Sequence, residues 1–429
     1  MRILLNPMYK KTQINNGLKI VTSSVPNRNS TALGIWIKVG GRYEDESNKG
    51  SSHFLEHLLF KGTKKYSCTK LKESIEGIGG SLNGFTSEEL TCYLVKIPSE
   101  YLKSALDVLS DMVINPTIPA LEVEKERTVI LEELKMYRDL PQSYVYELLD
   151  ELLWPKQPLG APIIGTVDSV SRINRESLKN FKDEYYTASN MVISACGNLD
   201  ASYLENQIKD KFARLNKHSL NKFIPVNELQ DSVRIKVSFK DTEQTHMALG
   251  FKSFRRDHPL RHALGLLHVI LGGNMSSRLF NEVREKRGLA YEIGTLTKRY
   301  YDTGAFVVHA GIDNKKLFKA IGLILKELKR VKEELVTWGE FKRAKEFYIG
   351  QLKLGLEDTL EQMLWIGETT ATLDKAYSLN QILNEVNSVK REDLRVIAAE
   401  IFKQNNLSLS LIGPLKGIED KLYKQLSIR

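Results

Sequence analysis

The sequence predicts an α+β fold built twice, two similar domains each with a mainly antiparallel sheet and helices packed on one face. Two observations carry this. At an offset of 216 residues, Val170, Ile173, Arg175, Glu176 and Leu178 fall opposite Val386, Val389, Arg391, Glu392 and Leu394. Each set runs into an apolar strand, Met191–Cys196 before Gly197 and Leu407–Ile412 before Gly413. A repeat on this scale is the signature of a duplicated unit. The second observation is that the strands occur in hairpin-like pairs among long helices, which argues against the regular βαβ alternation of a doubly wound parallel sheet.

In the first copy, Ile35, Ile37 and Val39 alternate with Trp36 and Lys38, the period-two pattern of a strand. A polar loop, Gly41–Gly50, leads to a helix that Ser51 or Ser52 is expected to cap and Gly62 to close. Gly79-Gly80 opens a strand pair through Ile97, and Leu102, Leu106, Leu109 and Val113 mark one face of the next helix. The segment Leu121–Leu140 reads as an acidic helix. In the second copy, Phe306–His309 reads as strand, and Leu317, Ile321 and Ile324 form a helical stripe. The expected domains are 1–215 and 232–429, joined by a linker at 216–231 within the polar, basic stretch that holds His218, Asn221 and Pro225.

Composition narrows the function. The 429 residues are 42% hydrophobic and 27% charged, as in ordinary globular proteins, so disordered and fibrous classes are excluded. The 62 Lys+Arg against 53 Asp+Glu leave a net charge of +9 spread along the chain without a base-reading motif, so no nucleic-acid partner is expected. Cys68, Cys92 and Cys196 are too few for a disulfide framework. Met1–Pro7 offers only three consecutive apolar residues, and nowhere does an uncharged apolar run reach bilayer length. A cytoplasmic protein of bacterial type, with no membrane partner, is the expectation, ahead of a mitochondrial-matrix chain.

The chemistry concentrates in His53-Phe54-Leu55-Glu56-His57. Residues four apart share a helical face, so His53 and His57 can offer two imidazole nitrogens to one metal ion. Glu56 stands close to that face, near enough to act on a water there. A catalytic zinc needs a third protein ligand and an open position. Glu126 and Glu133, seven apart on the acidic helix, could each reach across, and spacing alone does not choose between them.

Residues Gly50–Thr63, GSSHFLEHLLFKGT, resemble the signature of the pitrilysin and insulin-degrading family of inverted zinc peptidases, in particular its mitochondrial-processing-peptidase-like branch. The resemblance continues through GIGGSLNGFTSEE (Gly77–Glu89), ERTVILEEL (Glu126–Leu134) and REKRGLAY (Arg284–Tyr291), and covers nearly the whole chain. It implies one Zn2+ per chain held by His53, His57 and Glu133, with Glu56 as general base and Glu126 as an acidic residue behind the ligands. It implies that Arg284 and Tyr291 contact substrate and help stabilise the tetrahedral intermediate. Leu82, Asn83, Gly84 and Phe85 resemble the family's substrate-pairing strand, where main-chain hydrogen bonds hold an extended peptide. The implied activity is endopeptidase cleavage of unfolded or short peptides in a clam-like chamber. The second copy carries only His268 opposite the metal helix and is read as non-catalytic. Family members of this length pair, so a homodimer is expected, a heterodimer being the other form, and the Arg284–Tyr291 pair acts in cis or from the partner chain. The competing function is a non-catalytic partner or scaffold subunit of a processing-peptidase-like heterodimer. Such relatives lose part of the metal motif, whereas this chain keeps all of it.

His246, His258, His262, His268 and His309 are read as structural, and Gly272–Ser277 as a helix-connecting loop because it lacks the Gly-Lys-Ser/Thr ending of a phosphate loop.

Overall fold

The computed structural model describes residues 9–217 and 223–428. His218 and Asn221 of the expected linker, and Met1–Pro7, lie outside the described residues.

The first sheet has six strands: β1 (Tyr9–Gln13), β2 (Lys19–Ser24), β3 (Ser30–Ile37), β4 (Ser81–Thr86), β5 (Thr91–Pro98) and β6 (Met191–Gly197). Their order is β1-β2-β6-β3-β5-β4, with β2 parallel to β6 and the other neighbours antiparallel. The second sheet has β7 (Arg234–Phe239), β8 (Gln244–Ser253), β9 (Ala290–Arg299), β10 (Gly304–Asp313) and β11 (Leu407–Gly413). Its order, β7-β11-β8-β10-β9, repeats that of the first sheet without β1, down to the single parallel pair, β7 with β11. The duplication seen in the sequence is therefore a duplication of topology.

By internal contacts the chain forms two compact units, and each draws on three stretches. The first runs to Leu134, resumes at Pro162–Ile224 and takes in Lys353–Ile382; the second holds Lys135–Ala161, Pro225–Leu352 and the residues from Leu383 on. In chain order the stretch 216–231 falls between β6, the last strand of the first sheet, and β7 of the second. The helices on either side of it are exchanged, however: Pro141–Leu153 lies on the second sheet and Thr359–Leu373 on the first.

The physical reason is burial on both faces of the central strands. In β3 every residue from Thr31 to Ile37 is buried. Side chains alternate across a sheet, so one face alone cannot cover them. Ala32 and Trp36 pack with Met363, Ile366 and Ala371 of the helix Thr359–Leu373. A Cβ on Gly367 of that helix would lie 2.1 Å from Trp36 Nε1, so only glycine allows the helix this close. In the second unit Leu148, Leu149 and Leu153 close over Ala248, Ala305 and Val307 in the same way. Leu33, Ile35 and Ile37 belong to the opposite face of the first sheet, and the helix Leu102–Ile114 lies along β5. Among the described residues no helix is long and apolar enough to cross a membrane.

Candidate metal centre

The helix Ser51–Leu59 buries Phe54, Leu55, Leu58 and Leu59 and turns His53 and His57 outward together. Their rings stand 4.6 Å apart, centroid to centroid. The cap expected from Ser51 or Ser52 is not found: the N-cap is Gly50, in the left-handed region, and no side chain at that position caps the helix. In the polar loop before it, Arg42, Tyr43 and Glu44 are buried.

The acidic helix, Ala120–Asp139, supplies both glutamates, in different ways. Glu133 Oε2 lies 3.6 Å from His57 Nε2 and 3.8 Å from His53 Nε2. Glu126 sits behind them, 6% exposed, with Oε2 at 3.1 Å from His57 Nδ1 and Oε1 at 2.6 Å from Lys61 Nζ. A carboxylate can only accept, so His57 carries its proton on Nδ1 and turns the Nε2 lone pair towards Glu133. His53 is held neutral, its pKa pushed down to about 3 by burial and by the neighbouring His57. Neutral imidazole is the form that binds metal.

Among the described residues, His53, His57 and Glu133 form the one group of three such side chains able to meet at an ion. Tetrahedral zinc with ligand bonds of about 2.1 Å separates its ligand atoms by about 3.4 Å. The observed 3.6 and 3.8 Å therefore fit zinc with only a small contraction. A zinc ion held by His53, His57 and Glu133 would keep a position for a water molecule.

Glu56 is in the same helix but outside this triad. Its Oε2 accepts the Thr86 hydroxyl at 2.6 Å, and burial raises its pKa above the ordinary carboxyl value. Thr86 ends β4, on which Leu82, Asn83, Gly84 and Phe85 pair with β5 along one side and, among the described residues, with no strand along the other. Phe85 is 37% exposed and meets Trp36 edge-on at 5.8 Å.

Arg284 and Tyr291 belong to the second unit. Arg284 lies in a single π-helical turn, Phe280–Glu285, and its guanidinium stands 4.7 Å from the Phe280 ring and 5.6 Å from the Tyr291 ring. Tyr291, 75% exposed, is the second residue of β9. Together they line an open cavity of about 560 Å3 with Glu243, Glu285, Asp313 and Lys316. Glu282 is engaged by Lys286 and Arg287 at 2.5 and 2.6 Å, and Glu285 stands 4.0 Å from Arg284. His268, which falls against the metal helix in the sequence repeat, bonds Thr295 Oγ1 through Nδ1 at 2.8 Å.

Sequence reasoning missed Lys61, Thr86 and Glu44. Lys61 and Thr86 stand inside recognised motifs, but nothing in their spacing assigns them a partner. Glu44 stands outside the quoted motifs altogether.

The chain is similar to known peptidases. Residues 19–167 match Insulinase (Peptidase family M16), and residues 172–348 match the Peptidase M16 inactive domain. The chain is 36% identical over 415 residues to the uncharacterized zinc protease YmxG of Bacillus subtilis, covering 95% of this chain and 98% of that one. An uncharacterized zinc protease of Rickettsia bellii is 34% identical over 407 residues, with 95% and 98% covered. A protease from Helicobacter pylori superposes with a TM-score of 0.88 at 24% identity, over 95% of this chain and 100% of that one. The peptidase M16 inactive domain from Pseudomonas fluorescens gives 0.88 at 19% identity, over 95% and 98%. At these identities the two structures speak to the fold alone.

Proposed function

Because this chain belongs to the insulinase peptidase family, M16, we propose that it is a zinc-dependent endopeptidase in which His53, His57 and Glu133 hold the metal. The observation that carries the proposal is the convergence of three ligand atoms within 4.8 Å of one another, with Glu126 behind them and Glu56 alongside. When bound, zinc supplies Lewis acidity, lowering the pKa of water from about 15.7 to near 7.

The chain's own residues supply the proton path. Glu56 takes a proton from the attacking water as the oxygen bonds to the peptide carbonyl carbon, and returns it to the nitrogen as the C–N bond breaks. Its pKa, raised by burial, suits both steps better than an ordinary carboxylate would. Thr86 holds one of its oxygens and leaves the other for the water. The unpaired edge of β4, at Leu82, Asn83, Gly84 and Phe85, is suited to an extended peptide, whose main chain pairs without regard to sequence. By the family resemblance, Tyr291 and Arg284, of this chain or of a partner chain, would offer a hydroxyl and a positive charge to the carbonyl oxygen as it becomes negative. The clam-like chamber and its preference for short or unfolded peptides belong to the same proposal and rest on the family resemblance.

The test is metal removal. Chelation should abolish cleavage of an unstructured peptide, and one equivalent of zinc per chain should restore it. A stripped protein that cleaves at the full rate would sink the proposal; one that binds zinc and never cleaves would favour the scaffold subunit.

A further inference from the structure

The nine-residue helix that carries His53, Glu56 and His57 begins without a cap of its own. Gly50 at its N-cap has no side chain, and no acidic residue stands in its first turn. Yet the first amides of a helix have no acceptor within it. Ser51 N finds Asn48 O at 3.0 Å. Two further acceptors come from Glu44, which is 3% exposed: Oε2 accepts Gly50 N at 2.7 Å and Oε1 accepts Ser52 N at 2.6 Å. A carboxyl group whose two oxygens take two such amides does the work of the missing cap.

The segment around Glu44 is fixed in turn. Arg42 N donates to Glu88 O at 2.8 Å, and Arg42 Nη1 bonds Glu89 Oε1 at 2.7 Å, both side chains being 1% exposed. The Arg42 guanidinium lies 3.9 Å from the Phe223 ring centroid. Glu88 and Glu89 form the turn from β4 into β5, just after Thr86. One buried polar frame thus reaches both ends of the chemistry: the start of the metal helix, and the strand end whose Thr86 holds Glu56. The helix start has little room to drift, because Gly50 has φ +89° and a Cβ there would lie 2.7 Å from Ile164 O.

We propose that Glu44 is a positioning residue for the metal centre: by clamping the Gly50 and Ser52 amides it holds His53, Glu56 and His57 in register with Glu133. This rests on the zinc-peptidase reading and adds to it a residue that touches neither metal nor substrate.

The experiment compares Glu44→Ala, which removes both acceptors, with Glu44→Gln, which keeps one oxygen at the same reach. Leu204→Ala, in the helix Ala201–Phe212 and 1% exposed, serves as a control that destabilises the same unit away from the site. Zinc affinity is read by chelator competition, and kcat and KM on an unstructured peptide. Glu44→Ala should bind zinc about tenfold more weakly and lose about tenfold or more in kcat, with KM within about twofold. Glu44→Gln should lose about threefold in zinc affinity, and Leu204→Ala should keep wild-type affinity. The proposal is overturned if Leu204→Ala weakens zinc as much as Glu44→Ala, or if Glu44→Ala matches the wild type. Should Glu44→Ala fail to fold, wild-type zinc affinity in Glu44→Gln overturns it instead. A wild type that binds no zinc at all would sink the underlying metal reading, which is a different result from a wild type that binds zinc alongside an equally competent Glu44→Ala.

Discussion

Replacing Glu126 with glutamine isolates what charge behind a ligand contributes to the metal. Glu126 Oε2 accepts from His57 Nδ1 at 3.1 Å while Oε1 pairs with Lys61 Nζ at 2.6 Å, in a side chain only 7% exposed. Glutamine keeps the shape, but it has one oxygen for two donors and no charge. A hydrogen bond to a charged group contributes about 1.5–3 kcal/mol and a neutral one about 0.5–1.5, so the His57 bond should lose about 1–2 kcal/mol. Because His57 is oriented and made basic through that bond, the loss should appear in zinc binding as a factor of about 5–30. Chelator competition on wild type and Glu126→Gln reads it directly, with urea unfolding of the zinc-free proteins as the control for folding. Equal zinc affinities would refute the reasoning. So would a weakened affinity accompanied by an equal loss of zinc-free stability, because the effect would then belong to the fold and not to the ligand.

Two buried groups should tilt stability with pH in opposite directions. Burial pushes Glu44 up to about 7, against the pull of its two amide donors. Its stabilising contribution is therefore complete below about pH 4.5 and lost as pH rises through about 7, on the order of 3 kcal/mol in all. His268 is pushed down to about 4, by burial first and then by the charges of Arg299 and His309. Its contribution is present above about pH 6.5 and lost as pH falls towards 4, again on the order of 3 kcal/mol. The two slopes largely cancel between about pH 4.5 and 6.5. Urea midpoints should therefore rise with pH more steeply in Glu44→Gln than in wild type, and fall with pH in His268→Gln. Variant curves parallel to the wild type would contradict both assignments.

The fold was readable because duplication leaves a trace in sequence order: the Gly197 and Gly413 strands, 216 residues apart, became β6 and β11 in matching places. The exchange of Pro141–Leu153 and Thr359–Leu373 was not readable, since no local pattern says which sheet an amphipathic helix will cover. At the site, His53 and His57 could be read from helical periodicity alone. Glu133 could be separated from Glu126 only by family resemblance, because both stand on one helical face and the choice depends on how two helices cross. Glu44 was hidden for a related reason. Local rules favour Ser51 or Ser52 as the cap, whereas the acceptor comes from a buried turn whose fixing partner, Glu89, is 47 residues away from Arg42 in sequence.

The central claim is that one helix carries metal ligands and a separate base, and Glu56→Gln tests it most directly. Zinc content and peptide cleavage are measured together on this variant and on the wild type. One zinc per chain is expected in both proteins, because His53, His57 and Glu133 are intact, and cleavage at least about a hundredfold slower in the variant. Wild-type cleavage by Glu56→Gln, or a wild type without zinc, would contradict it.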